Sequence, residues 1–125
     1  MSDKINVLIC EPLTAPYMKE IDSSLESLQS TVGGLIQAIY PFEDQVALVC
    51  NEEGKINGLE LNRALRDERG TVYDILAGTF LIVGLGEENF TSLTSEHREK
   101  YRNLFEYPEA VIRIGAQIIA MPYDG

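Results

Sequence analysis

Three stretches of this chain, Lys4–Cys10 (KINVLIC), Val46–Cys50 (VALVC) and Thr79–Gly84 (TFLIVG), are apolar at nearly every position. A strand with one wet face alternates apolar and polar residues, so continuous apolar runs of this length need cover on both faces. Leu35–Tyr40 (LIQAIY) reads as a further strand. Yet the 125 residues contain only two or three short helical patterns to supply that cover. The expected fold is therefore α+β, one globular domain over residues 1–125, with a mixed or mostly antiparallel sheet. Two solutions exist for the face the helices cannot reach: the sheet curls into a partly barrel-like shape, or a second subunit covers it. That imbalance is the sequence argument for a homo-oligomer.

Turn and cap signals divide the rest. Glu11-Pro12 ends the first run, and Ala15–Ile21 (APYMKEI) reads as a strand paired with it, with Pro16 favouring an edge position. Ser23-Ser24-Leu25-Glu26 has capping-box spacing, with Ser23 as cap. Leu25, Leu28 and Val32 then form a helical stripe that Gly33-Gly34 stops. Pro41 ends the Leu35–Tyr40 strand, which is expected to lie antiparallel beside Val46–Cys50. Asn51–Gly54 and Asn57-Gly58 are turns. Leu61, Ala64 and Leu65 are spaced for a short helix with Asn62, Arg63, Arg66 and Asp67 on its outer face. Val72–Leu76 reads as a strand broken by Gly78. Thr94 caps a second helix reaching about Glu106, with Tyr101, Leu104 and Phe105 facing inward. Glu109, Arg113 and Gln117 recur every four residues, which predicts a third short helix to Ile114 carrying an i,i+4 ion pair. A final strand over Gln117–Met121 ends at Pro122.

Charge narrows the partners. Twenty acids against ten bases give a net charge of −10. Residues 1–60 carry ten acids and three bases, and residues 61–125 carry ten and seven. Such a surface repels nucleic-acid phosphates and anionic lipid, so direct nucleic-acid or membrane binding is not expected, while a basic protein is an acceptable partner. No apolar run approaches the ~20 residues of a membrane-spanning helix. The N-terminal stretch has no basic leader followed by a cleavage site, so a cytoplasmic location is expected. Cys10 and Cys50 each end an apolar run and read as buried free thiols, close together if their strands are neighbours. Two cysteines and a single histidine do not make a common zinc pattern, and nothing calls for a cofactor.

Motifs for chemistry are sparse. His97 sits among charged helical residues and reads as a surface or boundary group. Gly84-Leu85-Gly86 lacks the third glycine and following helix of a dinucleotide loop, and Glu87-Glu88 would repel phosphate. No serine lies in a Gly-x-Ser-x-Gly elbow. The adjacent acids at Glu43-Asp44, Glu52-Glu53, Asp67-Glu68 and Glu87-Glu88 fall at predicted turns, where solvated charge is the ordinary state. No catalytic residue is assigned. The best candidate site is the polar connection between Val46–Cys50 and Thr79–Gly84, holding Asn51, Asn57, Asn62, Arg63, Arg66, Asp67 and Asp74. Arginine offers a fork of donors to a carboxylate or phosphate, and asparagine offers both a donor and an acceptor. The competing reading makes Asn51 and Asn57 turn residues and pairs the arginines with nearby acids.

The segments IDSSLESLQSTVGG, YPFEDQVALVCNEEGKINGLELNRALRD and YDILAGTFLIVGLGEENFTSLT, with the Pro-Glu-Ala and Arg-x-Gly elements near the C-terminus, resemble the domain-of-unknown-function 3846 family over nearly the whole chain. These are small bacterial proteins often carried by conjugative elements and phages. The resemblance implies no activity and no catalytic residues. It implies a role in mobile-element biology, with counter-defence as one form. Two functions are therefore expected to compete. The first is a non-enzymatic accessory protein that binds a protein partner, for example as an acidic decoy. The alternative is a small anionic-ligand-binding protein or weak enzyme using Asn62, Arg63 and Arg66.

Overall fold

A computed structural model describes residues 3–123. Ten strands and two helices are present among them, and every strand pair is antiparallel. The α+β expectation holds. The sheet is open rather than a closed barrel, with spatial order β2-β1-β7-β4-β3. These strands are β1 (Lys4–Cys10), β2 (Tyr17–Asp22), β3 (Ile36–Ile39), β4 (Val46–Asn51) and β7 (Phe80–Leu85). A two-residue strand, β8 (Phe90–Thr91), pairs with the far end of β7. As Pro16 implied, β2 is an edge strand beside β1, and β3 pairs antiparallel with β4, as expected, at the other edge. The two cysteine-bearing strands are not neighbours, because β7 runs between β1 and β4, and both thiols are free and buried.

Period-two alternation sorts the apolar runs onto two faces. Leu8, Cys10, Val46, Leu48, Cys50, Phe80 and Ile82 share one core, and Ile5, Val7, Ile9, Ala47, Val49, Leu81 and Val83 share the other. Register carries a row straight across the sheet, with Leu8 opposite Ile82 and Ile82 opposite Leu48. The second core is closed by helix α1 (Leu25–Val32) through Leu28 and Val32. Its N-cap is Ser24, whose hydroxyl accepts from Ser27 N at 3.2 Å, one residue later than the capping-box spacing suggested. Asp22 takes the Ser24 N–H at 3.0 Å, which is why the cap moves. Gly33 ends the helix with φ of 80°, as expected.

The first core has a cover the sequence reading lacked. Residues 61–66 are not a helix but strand β5 (Leu61–Arg66), paired with β6 (Val72–Ala77) as a hairpin inserted between β4 and β7. Leu65 and Leu76 of this hairpin join the first core, together with Tyr101 and Phe105 from α2 (Ser95–Leu104) and its cap. Phe105 stands edge-on to Phe80, with centroids 5.2 Å apart, and Phe42 packs tilted against Tyr101 at 4.6 Å. Thr94 caps α2 as expected, accepting from His97 N, but Leu104 points to solvent rather than inward. The sheet thus has both faces covered within one chain, and the imbalance that suggested a covering subunit is resolved by the hairpin. The second correction lies at the C-terminus. Glu109–Ile114 is strand β9, not a helix, and it turns at Gly115 (φ 60°) into β10 (Gln117–Pro122). Four residues along a strand span about 13 Å rather than one helical turn, so the helical spacing expected between Glu109 and Arg113 is not formed.

Candidate functional site

A β-bulge shapes the centre of the candidate region. Leu61 lies opposite Ala77 but Ala64 lies opposite Ile75, so β5 carries one extra residue between them. The extra residue breaks alternation, and Asn62 and Arg63 are consequently both buried although adjacent in sequence. Asn62 Nδ2 donates to the carbonyls of Cys10 and Gly78, each at 2.9 Å, and its Oδ1 accepts from Arg63 Nη1 at 2.8 Å. The Cys10 thiol also faces Asn62 Oδ1, at 3.9 Å. Burial pushes that thiol up to about 12, with the Arg63 charge pulling the other way.

Arg63 acts as a three-way pin. Its Nε and Nη2 donate to Phe105 O at 3.3 and 3.0 Å, and Nη2 also reaches Thr14 O at 2.6 Å. Phe105 is the C-cap of α2, where unpaired carbonyls and the negative end of the helix dipole favour a cation. Burial lowers the Arg63 pKa, opposed by the nearby Cys10 and Glu109. The guanidinium therefore ties β5 to the β1–β2 loop and the end of α2, with four of its N–H bonds aimed at acceptors inside the protein.

The neighbouring Arg66 is half-exposed and pairs with Glu109, whose other oxygen accepts from Ala64 N at 2.8 Å. One carboxylate thus docks the start of β9 onto β5. A cleft of about 320 Å³ opens beside these groups, lined by Phe42, Arg63, Arg66, Leu104, Tyr107 and Glu109.

The remaining candidates lie elsewhere. Asn51 is buried at the end of β4, where Nδ2 donates to Val32 O at 3.1 Å and Oδ1 accepts from Glu53 N at 2.8 Å. It joins the end of α1 to the following turn, and a Cβ at Gly34 would come within 2.9 Å of its amide. Asp74 pairs with Lys55 at 2.5 Å and, with Asn51, borders a separate cleft of about 280 Å³. Asn57 is an exposed turn residue. Asp67 accepts from Arg69 N and Thr71 N, both at 2.9 Å, to close the β5–β6 turn. Of the seven, Asn62, Arg63 and Arg66 come together, and Asn51 and Asp74 border a different cleft.

Sequence reasoning missed Glu109 and the two carbonyl acceptors of Arg63. Glu109 gives no local signal, because its partners lie 43 and 45 residues away. It also missed a cluster at Asp44, which holds the β3–β4 loop against α2. Asp44 Oδ2 accepts from Lys100 Nζ and Tyr101 Oη, both at 2.6 Å, while His97 Nε2 lies 3.7 Å from Oδ1. The Lys100 and Tyr101 hydrogen bonds hold the Asp44 carboxyl below its usual range, and burial with the same bond raises the Tyr101 phenol. Among the described residues, no group of three or more His, Cys, Asp or Glu side chains is placed to hold a metal.

A family model described as Domain of unknown function (DUF3846) matches residues 5–106. The chain belongs to this family. No curated protein and no solved structure matches it. The DUF3846 match takes in all of the six-stranded sheet but Lys4, both helices and the β5–β6 hairpin, and stops before β9. Arg63 and its acceptors therefore lie inside the family segment, whereas Glu109 and the β9–β10 hairpin lie beyond it. No helix among the described residues is long and apolar enough to cross a membrane.

Proposed function

We propose that this DUF3846 protein is a non-enzymatic accessory protein of a bacterial mobile element, working by binding a basic protein partner, with counter-defence as its setting. The observation that carries the reading is the β4–β5 connection. Its acids Glu52, Glu53 and Glu60 are exposed and have no ion-pair partner among the described residues, while its lone base, Lys55, is held by Asp74. An uncompensated acidic loop on a chain of net charge −10 steers cationic surfaces toward itself. The side chains that sequence reasoning favoured for chemistry, Asn62 and Arg63, are meanwhile engaged in holding three segments of the fold together.

The test is a low-salt pull-down with the wild type and the Glu52→Gln/Glu53→Gln/Glu60→Gln variant. The wild type is expected to retain a basic protein that elutes as salt rises, and the variant to retain about tenfold less. Equal retention by both would overturn the assignment.

The second reading is a small anionic ligand in the cleft beside Arg66, favoured by that half-exposed guanidinium at its edge. A phosphate- or carboxylate-bearing ligand must compete there with Glu109, which already occupies one side of the fork. A thermal-shift screen separates the readings, since a ligand at 100 times its Kd adds about 2.7 kcal/mol to stability.

A further inference from the structure

The β9–β10 hairpin has two unlike faces. Cross-strand register puts Ala110, Ile112, Ile114, Gln117, Ile119 and Met121 on one side, and the Tyr123 N–H bond to Pro108 O extends that side to Tyr123. Glu109, Val111, Ile118, Ala120 and Pro122 fall on the other. The second side is the one that meets the body, although Ile118 on it is still 44 % exposed. Glu109 bonds to β5, Ile118 shares a groove with Leu61 and Tyr73, and Pro122 lines the cleft beside Arg66. The first side faces away from the protein. Its Ile112, Ile114, Ile119, Met121 and Tyr123 remain 43, 59, 37, 42 and 40 % exposed.

We infer that this outer face is covered by the same face of a second copy, forming a two-fold symmetric dimer. Two-stranded hairpins are marginal in water without a packed face, so a ribbon this apolar gains stability by acquiring one. Charge selects the occupant. Residues 110–123 contain no Asp or Glu, although the chain holds twenty acids. A basic partner is drawn to the acidic loops and finds no countercharge on this face. A second copy brings a surface of the same shape, equally apolar and free of acids, and two-fold symmetry makes such a patch its own complement.

Area agrees. The five outward side chains alone expose roughly 450 Å² per copy, over half of the ~800 Å² per partner of a standard stable interface. The inference is independent of the proposed basic partner, which uses the opposite chemistry on another surface.

The test measures the mass of the full chain in solution by light scattering across concentration and salt. The wild type is expected at twice the chain mass, with association strengthening as salt rises, because screening removes the repulsion between two acidic bodies. Ile112→Ser/Ile119→Ser is expected to run at the single-chain mass with an unchanged circular dichroism spectrum. A second measurement needs no variant. Peroxide oxidation of Met121 in the wild type is expected to slow severalfold between dilute and concentrated protein, because its thioether becomes covered. A wild type at single-chain mass throughout, a double variant that remains dimeric, or a Met121 oxidation rate independent of concentration each overturns the inference.

Discussion

The central sheet and the C-terminal hairpin are built from the same kind of residue, yet they end in opposite states. Strands β1, β4 and β7 are rows of Val, Ile and Leu buried on both faces, between α1 on one side and the β5–β6 hairpin with α2 on the other. Strands β9 and β10 are equally rich in isoleucine, but only one face meets the body, held there by Glu109. An apolar run states a demand for cover. Where the cover comes from is a matter of what else the chain can bring to that place.

The largest effect expected from this contrast is in stability. Phe80, fully buried under Phe105, should cost about 3–5 kcal/mol when changed to Ala. Ile112→Ser on the outer face of the hairpin should change the stability of the single chain by less than about 0.5 kcal/mol. Urea unfolding of both variants at low protein concentration checks the pair. Comparable losses would mean that the hairpin belongs to the same cooperative core.

An intermediate effect is expected at Arg63, which ties β5 to the β1–β2 loop and the end of α2. Changing it to Met keeps the apolar stem but strands the carbonyls of Phe105 and Thr14, for a loss of about 3 kcal/mol. The loss should appear in urea midpoints, and hydrogen exchange should rise first at the end of α2. A neutral substitution would show that water replaces the guanidinium and that the pin is dispensable.

The smallest effect is tied to pH. Asp44 has a folded-state pKa below its unfolded value, chiefly because of the Lys100 bond. Its contribution is therefore present above the unfolded pKa and fades as pH falls through the folded one. Wild type and Asp44→Asn should differ in melting temperature at neutral pH and converge as pH falls below about 4. A gap that stays constant with pH would show that the loop is held to α2 by shape alone.

Much of the fold was legible because its signals are local. The doubly apolar runs marked β1, β4 and β7, Gly33 marked the end of α1, and Thr94 marked the start of α2. The failures share a cause. Leu61, Ala64 and Leu65 fit a helical spacing only because a bulge at Asn62 and Arg63 disturbs the alternation of a strand. Glu109 and Arg113 fit a helical period by coincidence in a stretch rich in β-branched residues. Asn62, Arg63 and Arg66 do lie together in the fold, but their roles were not readable. Whether Arg63 meets a ligand or a carbonyl depends on Thr14 and Phe105, each more than forty residues away.

By itself, then, the sequence determined how many strands need two covered faces, where the first helix stops and the second starts, and that the surface is acidic. These follow from composition and from spacing within a few residues, which backbone geometry reads directly. Only the tertiary structure decided that β5 and β6 form the missing cover, that Asn62 and Arg63 turn inward, and that the unmet apolar demand falls on β9 and β10. Those outcomes depend on which distant segments compete for the same face, and no local pattern records the winner.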